Sequence, residues 1–397
     1  MRITGYWRSF DWGEVIGGWR EAGAFLRLRP SDKTVLMIEP NRYHAEILPG
    51  YCHYFQRLGF EVVLLLRRQN ARAGAFVRVS HEERPQCYAM HPRMMRRVLR
   101  RARPERFAFA YITSAYWAEP YGHFGLFCKF LGRCPEGKRG YGMVAHTFEH
   151  VQPNIENGEV PIERISCLSP YKYNGMTVPM INPHYFGVVS TPPLAKVRIF
   201  ITVGTQFRSF ASLVYVVRDL ERQGYSNFKV EAIGREAVRT NYPDAPSSID
   251  FLGQLPFPEM YRRVEEADFY LFLLDPECPE HRRYLAGTTT GAHQLSLGFR
   301  KVPIIHEQFA RTYGFSAGNA IVHATDQLAE GMCRALDIEA EEYERLRTGV
   351  GELGAEIYAE SLSNLRNQVY WRTDAQLVSL GAVERTTVDG LAKPTPR

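Results

Sequence analysis

Residues 287–299, GTTTGAHQLSLGF, set three threonines and two glycines ahead of an apolar run. The apolar positions Ala292, Leu295, Leu297 and Phe299 begin only after Gly291, which puts Thr288, Thr289, Thr290 and Gly291 at a helix N-terminus. There the first amides have no partner inside the helix and the dipole is positive. Small residues let an anion approach the backbone, and hydroxyls add donors. The spacing predicts a phosphate seat; the plain alternative is a threonine cap with nothing bound.

Acid–base candidates sit at other strand ends. YGMVAHTFEHV, 141–151, places His146 directly after an apolar strand, with Glu149 and His150 just behind. A histidine titrates near neutrality and suits a general base, and it can equally bind a sugar hydroxyl or simply pack at the strand end. His146 and His150 are four apart, but the run is not H-E-x-x-H and no third ligand is evident, so no metal site is assigned. His44 and Glu46 follow the first strand in IEPNRYHAE, where Asn41 reads as a turn stabiliser. Glu307 ends VPIIHE, within reach of ribose or sugar hydroxyls, and Asp275 lies in a Asp-Pro turn. No D-x-D and no G-x-x-x-x-G-K-[ST] occurs, so metal-diphosphate and ATP-hydrolysis motifs are missing; the G-x-G-x-x-G at 349–354, GVGELG, falls inside an expected helical stretch rather than after a strand and does not read as a dinucleotide motif.

The elements that must position these residues alternate. VLMIEP (35–40), a helix over HAEILPGYCHYFQRLGF and EVVLLL (61–66) form a β-α-β unit. Further strands are expected at 107–113, 141–145 and 164–168. A proline-rich stretch, 182–196, reads as the linker. Alternation restarts with strands at 197–204, 228–234, 249–253, 269–275, 302–307 and 320–324, and residues 326–372 look helical throughout. The expectation is α/β: two tandem Rossmann-like doubly wound domains, 1–188 and 197–360, facing a cleft at the carboxyl ends of their strands, with a C-terminal helix and disordered tail over 361–397.

Composition agrees. The 397 residues exceed one ordinary core, and 45% hydrophobic with 23% charged residues is usual for a globular enzyme. The net charge of +6 suits an anionic ligand or surface and falls short of arguing for nucleic acid. Seven scattered cysteines without a C-x-x-C pair fit a reduced, cytoplasmic protein. The N-terminus shows no secretion signal, and no run approaches the length that spans a bilayer.

Four stretches carry a family resemblance: FITVGTQFRSFASLV, FKVEAIGRE, IDFLGQLPFPEMYRRVEEADFYLFLLDP and TTTGAHQLSLGFRKVPIIHE. Together they resemble the donor-binding domain of GT-B glycosyltransferases over about residues 197–336, and more weakly over 35–190. The resemblance implies a sugar nucleotide on the second domain, its diphosphate at the threonine-rich helix start, and an acceptor on the first. By position it implies that Gly204 lets the chain pass close to the diphosphate and that Arg208 pairs with its oxygens. Gln254 and Leu255 fall on the base-binding loop. Many retaining members carry two glutamates eight apart; here Glu277 and Glu280 have Leu285 and Thr288 at that spacing. His293 or Gln294 stands where the second acid sits, and Gln294 is the expected ribose contact.

HPRMMRRVLRRARPERF, 91–107, contains seven arginines flanking an apolar face of Met94, Met95, Val98, Leu99 and Ala102. It reads either as a helix packed on the sheet or as an anionic-membrane contact through residues 92–106. The full expectation is a metal-independent glycosyltransferase without cofactor, taking a nucleotide-sugar donor and a glycan or lipid-linked acceptor, cytoplasmic and possible at the membrane's inner face. The alternatives are a sugar-nucleotide epimerase on the same fold and a catalytically inactive nucleotide-sugar-binding module.

Overall fold

A computed structural model describes residues 12–41, 43–115, 140–204, 208–234 and 237–370. The N-terminal segment read for a signal, Cys128, Cys134 and the tail from residue 385 lie outside the described residues. Two six-stranded parallel sheets dominate. In the first, β1 (Thr34–Glu39), β2 (Glu61–Arg67), β3 (Gln86–Met90), β4 (Phe109–Ile112), β5 (Gly140–Ala145) and β6 (Ile165–Cys167) are ordered 3-2-1-4-5-6. After a small antiparallel hairpin, β7 (Tyr171–Tyr173) and β8 (Met176–Val178), the second sheet repeats the pattern. Its strands are β9 (Arg198–Val203), β10 (Phe228–Ile233), β11 (Ile249–Gly253), β12 (Phe269–Leu271), β13 (Val302–His306) and β14 (Ile321–His323), ordered 11-10-9-12-13-14. Strand order reverses between β1 and β4 and again between β9 and β12. Such reversal opens a crevice at the strand ends where helices diverge to opposite faces.

The apolar runs form strands because helices cover both faces. β1 is buried along its whole length, and each sheet has a hydrophobic cluster on either side. β3 is a strand that the sequence reading passed over; QCYAM carries two polar or small residues on its half-exposed side, the look of a sheet edge. β12 stops at Leu271 rather than 275, because Leu273 turns the backbone to φ 49°. The long C-terminal helix breaks around Ile338, giving Leu328–Asp337 and Ala340–Tyr370.

That last helix runs unbroken past residue 360. Its start buries Tyr343 and Leu346 in the second lobe, and its end buries Leu365 in the first. The linker is equally tied to both lobes. Tyr51 and Tyr54 donate to the carbonyls of Ile181 and Asn182, while His184 hydrogen-bonds the Gly354 carbonyl. Arg78 reaches across to Glu265 through two 2.6 Å bonds.

The basic helix, Pro92–Arg101, turns Met95, Val98 and Leu99 into the first-lobe core against Ala22 and Phe25. Its apolar face is therefore unavailable to lipid, which removes membrane insertion through residues 92–106. The exposed arginines remain, with Arg97 over the ring of Trp19. Among the described residues no helix is long and apolar enough to cross a membrane.

Two glycines hold the linker close. A Cβ on Gly50 would lie 2.6 Å from the Pro183 oxygen, and one on Gly298 2.3 Å from the His184 oxygen. Gly50→Ala and Gly298→Ala are each expected to cost ~1–3 kcal/mol, read as a lower urea midpoint of the full chain. Gly318→Ala, where the added carbon meets only ordinary contact, should leave the midpoint nearly unchanged.

Candidate functional site

A cleft of about 840 Å³ opens between the lobes, at the carboxyl ends of both sheets. Its second-lobe wall includes Gly204, Arg208, Gln254, Leu255, Gly291 and Gln294. Six of the residues singled out in the sequence are thus brought together from three separate segments: the loop after β9, the loop after β11 and the helix Gly291–Gly298. Gly204 follows β9 at φ 85°, with open space where a Cβ would stand. A left-handed turn of that kind favours glycine and lets a ligand approach the backbone.

The threonine-rich segment behaves as its pattern requires. Thr290 is the N-cap of the helix Gly291–Gly298, and its hydroxyl oxygen accepts from the Ala292 amide at 3.3 Å. Among the described residues, the amides of Thr289, Thr290 and Gly291 donate to no backbone carbonyl, whereas Thr288 donates to Arg283. Gly291 is exposed, and nothing lies within 4 Å of the place its Cβ would take. Arg208 donates to the Thr290 hydroxyl at 2.7 Å, with its guanidinium 5.6 Å from the Tyr284 ring centroid. A cation is thereby tethered beside a helix N-terminus. Burial raises the Tyr284 phenol, but Arg208 and Arg283 outweigh it and hold the group below its ordinary value.

Gln294 and His293 separate cleanly. Gln294 lines the cleft and donates to the Thr289 hydroxyl at 3.3 Å. His293 is fully buried at the lobe junction, its Nδ1 3.2 Å from Asn182 Nδ2, and burial pushes it down to about 3. Thr288 is buried with its hydroxyl 3.4 Å from that of Thr147. Glu307 is not in the cleft wall: it opens the helix Glu307–Tyr313 and pairs with Arg311 at 2.9 Å. Asp275 is a turn residue, accepting from the Glu277 amide, and Asn41 likewise accepts from Tyr43.

On the first-lobe wall the structure promotes residues that the sequence placed second. Tyr43, His44, Glu46, Gln69 and Asn70 line the cleft, while His146 and Glu149 do not. Glu149 is exposed on the turn Phe148–His150. His146 stands behind His44, ring centroids 4.2 Å apart. His44 takes φ 67°, rare outside glycine, and its Nδ1 lies 3.3 Å from Glu46 Oε1. A carboxylate only accepts, so Nδ1 carries the proton and Nε2 keeps a lone pair. Burial lowers His44, but Glu46 and then Glu39 outweigh it and hold the imidazole above its ordinary value. Burial first, then the charge of His44, drive His146 well below.

Behind both rings is a carboxyl that the sequence reading missed. Register pairs Ile38 with Ile112, so Glu39 at the end of β1 lies beside Thr113 and Ser114. Their hydroxyls donate to Glu39 Oε2 at 2.8 and 2.7 Å, and the Asn41 amide donates to Oε1 at 2.7 Å. The available signal was a charge closing the wholly apolar run VLMI, at the first sheet's reversal point.

No protein-family model and no curated protein sequence matches the chain. Solved structures do. A glycosyltransferase of kitacinnamycin superposes with a TM-score of 0.51 at 12% identity, covering 86% of this chain and 100% of that one. Anabaena HepE, solved with UDP and glucose, gives 0.51 at 10% identity over 84% and 99% of the two chains. The fold is GT-B. A Listeria monocytogenes protein assigned as a UDP-N-acetylglucosamine 2-epimerase shares it, with a TM-score of 0.50 at 10% identity over 86% and 98%. At such identities the likeness is one of architecture, and the GT-B cleft is where this chain gathers its own polar groups.

Thr290 both caps a helix and anchors Arg208. Thr290→Ala should destabilise the protein by about 1 kcal/mol, read by thermal melting, and release the guanidinium. An unchanged melt would show that the cap contributes nothing.

Proposed function

We propose that this protein moves a glycosyl group from a nucleoside diphosphate sugar to a hydroxyl of a glycan or lipid-linked acceptor, without a metal ion. The observation that carries the reading is the single cleft in which Arg208, Gly204 and an open helix start face a histidine–carboxylate pair, His44 and Glu46. The diphosphate would lie against the Gly291 amide and the tethered Arg208, with its leaving charge met by cation and dipole together. Gln254 and Leu255 would border the base, and Gln294 would reach the ribose. Neighbours on the same fold include a protein solved with UDP and glucose, which supports a nucleotide sugar as the donor.

The proton step falls to His44. The acceptor hydroxyl gives its proton to Nε2 as its oxygen bonds to the anomeric carbon. The bond from that carbon to phosphate breaks, and the electron pair leaves with the diphosphate. Glu46 holds the imidazole by Nδ1 and stabilises the imidazolium that forms. His146 supports the ring of His44 from behind. A place in surface polysaccharide assembly fits a glycan acceptor, and any contact with an anionic membrane would rest on exposed arginines such as Arg93, Arg97 and Arg100, a purely electrostatic attraction.

The epimerase on this fold favours a second reading, in which the sugar nucleotide is consumed with no acceptor present. Product analysis with and without acceptors separates the two.

Thermal-shift screening against UDP-, GDP-, TDP- and CMP-sugars should reveal at least one stabilising nucleoside diphosphate sugar, because a ligand that binds only the folded state raises its melting temperature. Arg208→Ala should abolish most of that shift; a full shift in the variant would remove Arg208 from the site. With the responsive donor, turnover should rise with pH along an acid limb above pH 6.5, since His44 must be neutral to act and its pKa lies above that value. His44→Ala should lower kcat by ~10²–10⁴ with little change in the donor's thermal shift. Wild-type turnover in that variant would exclude His44 as the base.

A further inference from the structure

The buried carboxyl of Glu39 has no assigned work in the transfer, yet its surroundings are built with care. Its side chain is 0% exposed, and among the described residues no lysine or arginine pairs with it. Removing a carboxylate from water without a cation is costly, and an apolar residue at the end of a buried strand would be more stable. Instead three donors converge on it: two hydroxyls and an amide.

One of those hydroxyls continues to the cleft. His146 Nε2 lies 2.9 Å from the Thr113 carbonyl oxygen, which can only accept, so Nε2 carries a hydrogen. The same nitrogen is 3.2 Å from Ser114 Oγ, whose own hydrogen points to Glu39. The single Nε2 hydrogen is shared between the Thr113 carbonyl and, at longer range, Ser114 Oγ, and the Ser114 hydroxyl passes its own hydrogen to Glu39. On the far side of His146 packs the ring of His44, the residue that lines the cleft.

We propose that Glu39 is a positioning residue for the cleft histidines: through Ser114 it fixes the ring of His146 on which His44 packs, and its carboxylate sets how readily His44 takes up a proton. The consequence for catalysis rests on His44 being the base of the transfer proposed above; the coupling itself does not. The other charged or titrating groups acting on these rings are Glu46 from the turn of His44 and His150 beyond His146. Burial pushes Glu39 up to about 7, against the pull of Ser114, His44 and Thr113. Each of Glu39 and His44 acts on the other's ionisation, the carboxylate favouring the imidazolium and the imidazolium the carboxylate.

The test is an NMR titration of the full chain carrying ¹⁵N-labelled histidine, with the His44 and His146 signals assigned by their loss in His44→Ala and His146→Ala. Glu39→Gln keeps the shape of the side chain and removes its charge. An imidazolium that loses a nearby anion is less stable, so the His44 midpoint should fall by about half a pH unit or more, roughly threefold in its protonation constant. Ser114→Ala removes the bridging hydroxyl and keeps every titrating group; it should move the His44 midpoint in the same direction by less, and shift the His146 Nε2 signal. A His44 midpoint unchanged in Glu39→Gln overturns the proposal. If that variant fails to fold, an unchanged midpoint in Ser114→Ala does so. A midpoint that moves in Glu39→Gln alone overturns the route through Ser114. With a responsive donor, the acid limb of kcat/KM should move to lower pH by the same amount as the His44 midpoint. Absence of turnover beside a shifted midpoint would count against the transfer reading and leave the coupling in place.

Discussion

A parallel strand with helices on both faces takes few polar side chains away from its ends, and those it takes need partners, as Glu231 has in Lys229 and Arg263. This constraint governs the whole molecule. β1 is apolar and buried until Glu39, and β9 leaves the core at Val203 and Gly204. In each sheet the strand order reverses next to those ends, and the loops that follow part to opposite sides. Polar groups accumulate there because most of each sheet is closed in apolar layers. Since both lobes repeat the same order, two such crevices face each other, and the cleft between them inherits the polar residues of both.

In the proposed transfer, the second lobe would supply a cation already set in place. Thr290 and the face of Tyr284 hold Arg208 beside the helix start. A donor that is oriented before the charge develops needs no reorganisation when it does. The first lobe supplies groups whose protonation is set by their neighbours. His44 is raised by two carboxylates and His146 is lowered by burial and by His44. Two imidazoles in contact thus differ in how readily they take up a proton, His44 more and His146 less than an ordinary imidazole.

The lobes are joined by more than their linker. The Arg78–Glu265 pair, the tyrosine bonds to the linker carbonyls and the helix Ala340–Tyr370 cross the junction at separate points. Ser361 accepts from the Asn182 amide at 2.9 Å, so even the linker backbone is fixed by that helix. The geometry of the cleft therefore depends on contacts well away from it, and small residues such as Gly50 and Gly298 matter because they let the linker lie close.

Read alone, the chain determined the alternation of strands and helices and the threonine-fronted helix; Gly204 and Arg208 were set beside that helix by the family resemblance, not by any local pattern. The alternation and the helix start are local: apolar periodicity and small polar residues before a helix both act over a few neighbouring positions. Only the tertiary structure decided which polar groups share the cleft. His146 and His44 each follow a buried strand and look alike in sequence; packing put His44 in the wall and His146 behind it. His293 and Gln294 are adjacent, yet the helical turn sends one into the junction and the other to the cleft. Glu39, Ser114 and His146 come from three strand ends that only sheet register brings within hydrogen-bond distance. Such meetings depend on contacts between residues far apart in the chain, and no local pattern of residues encodes them.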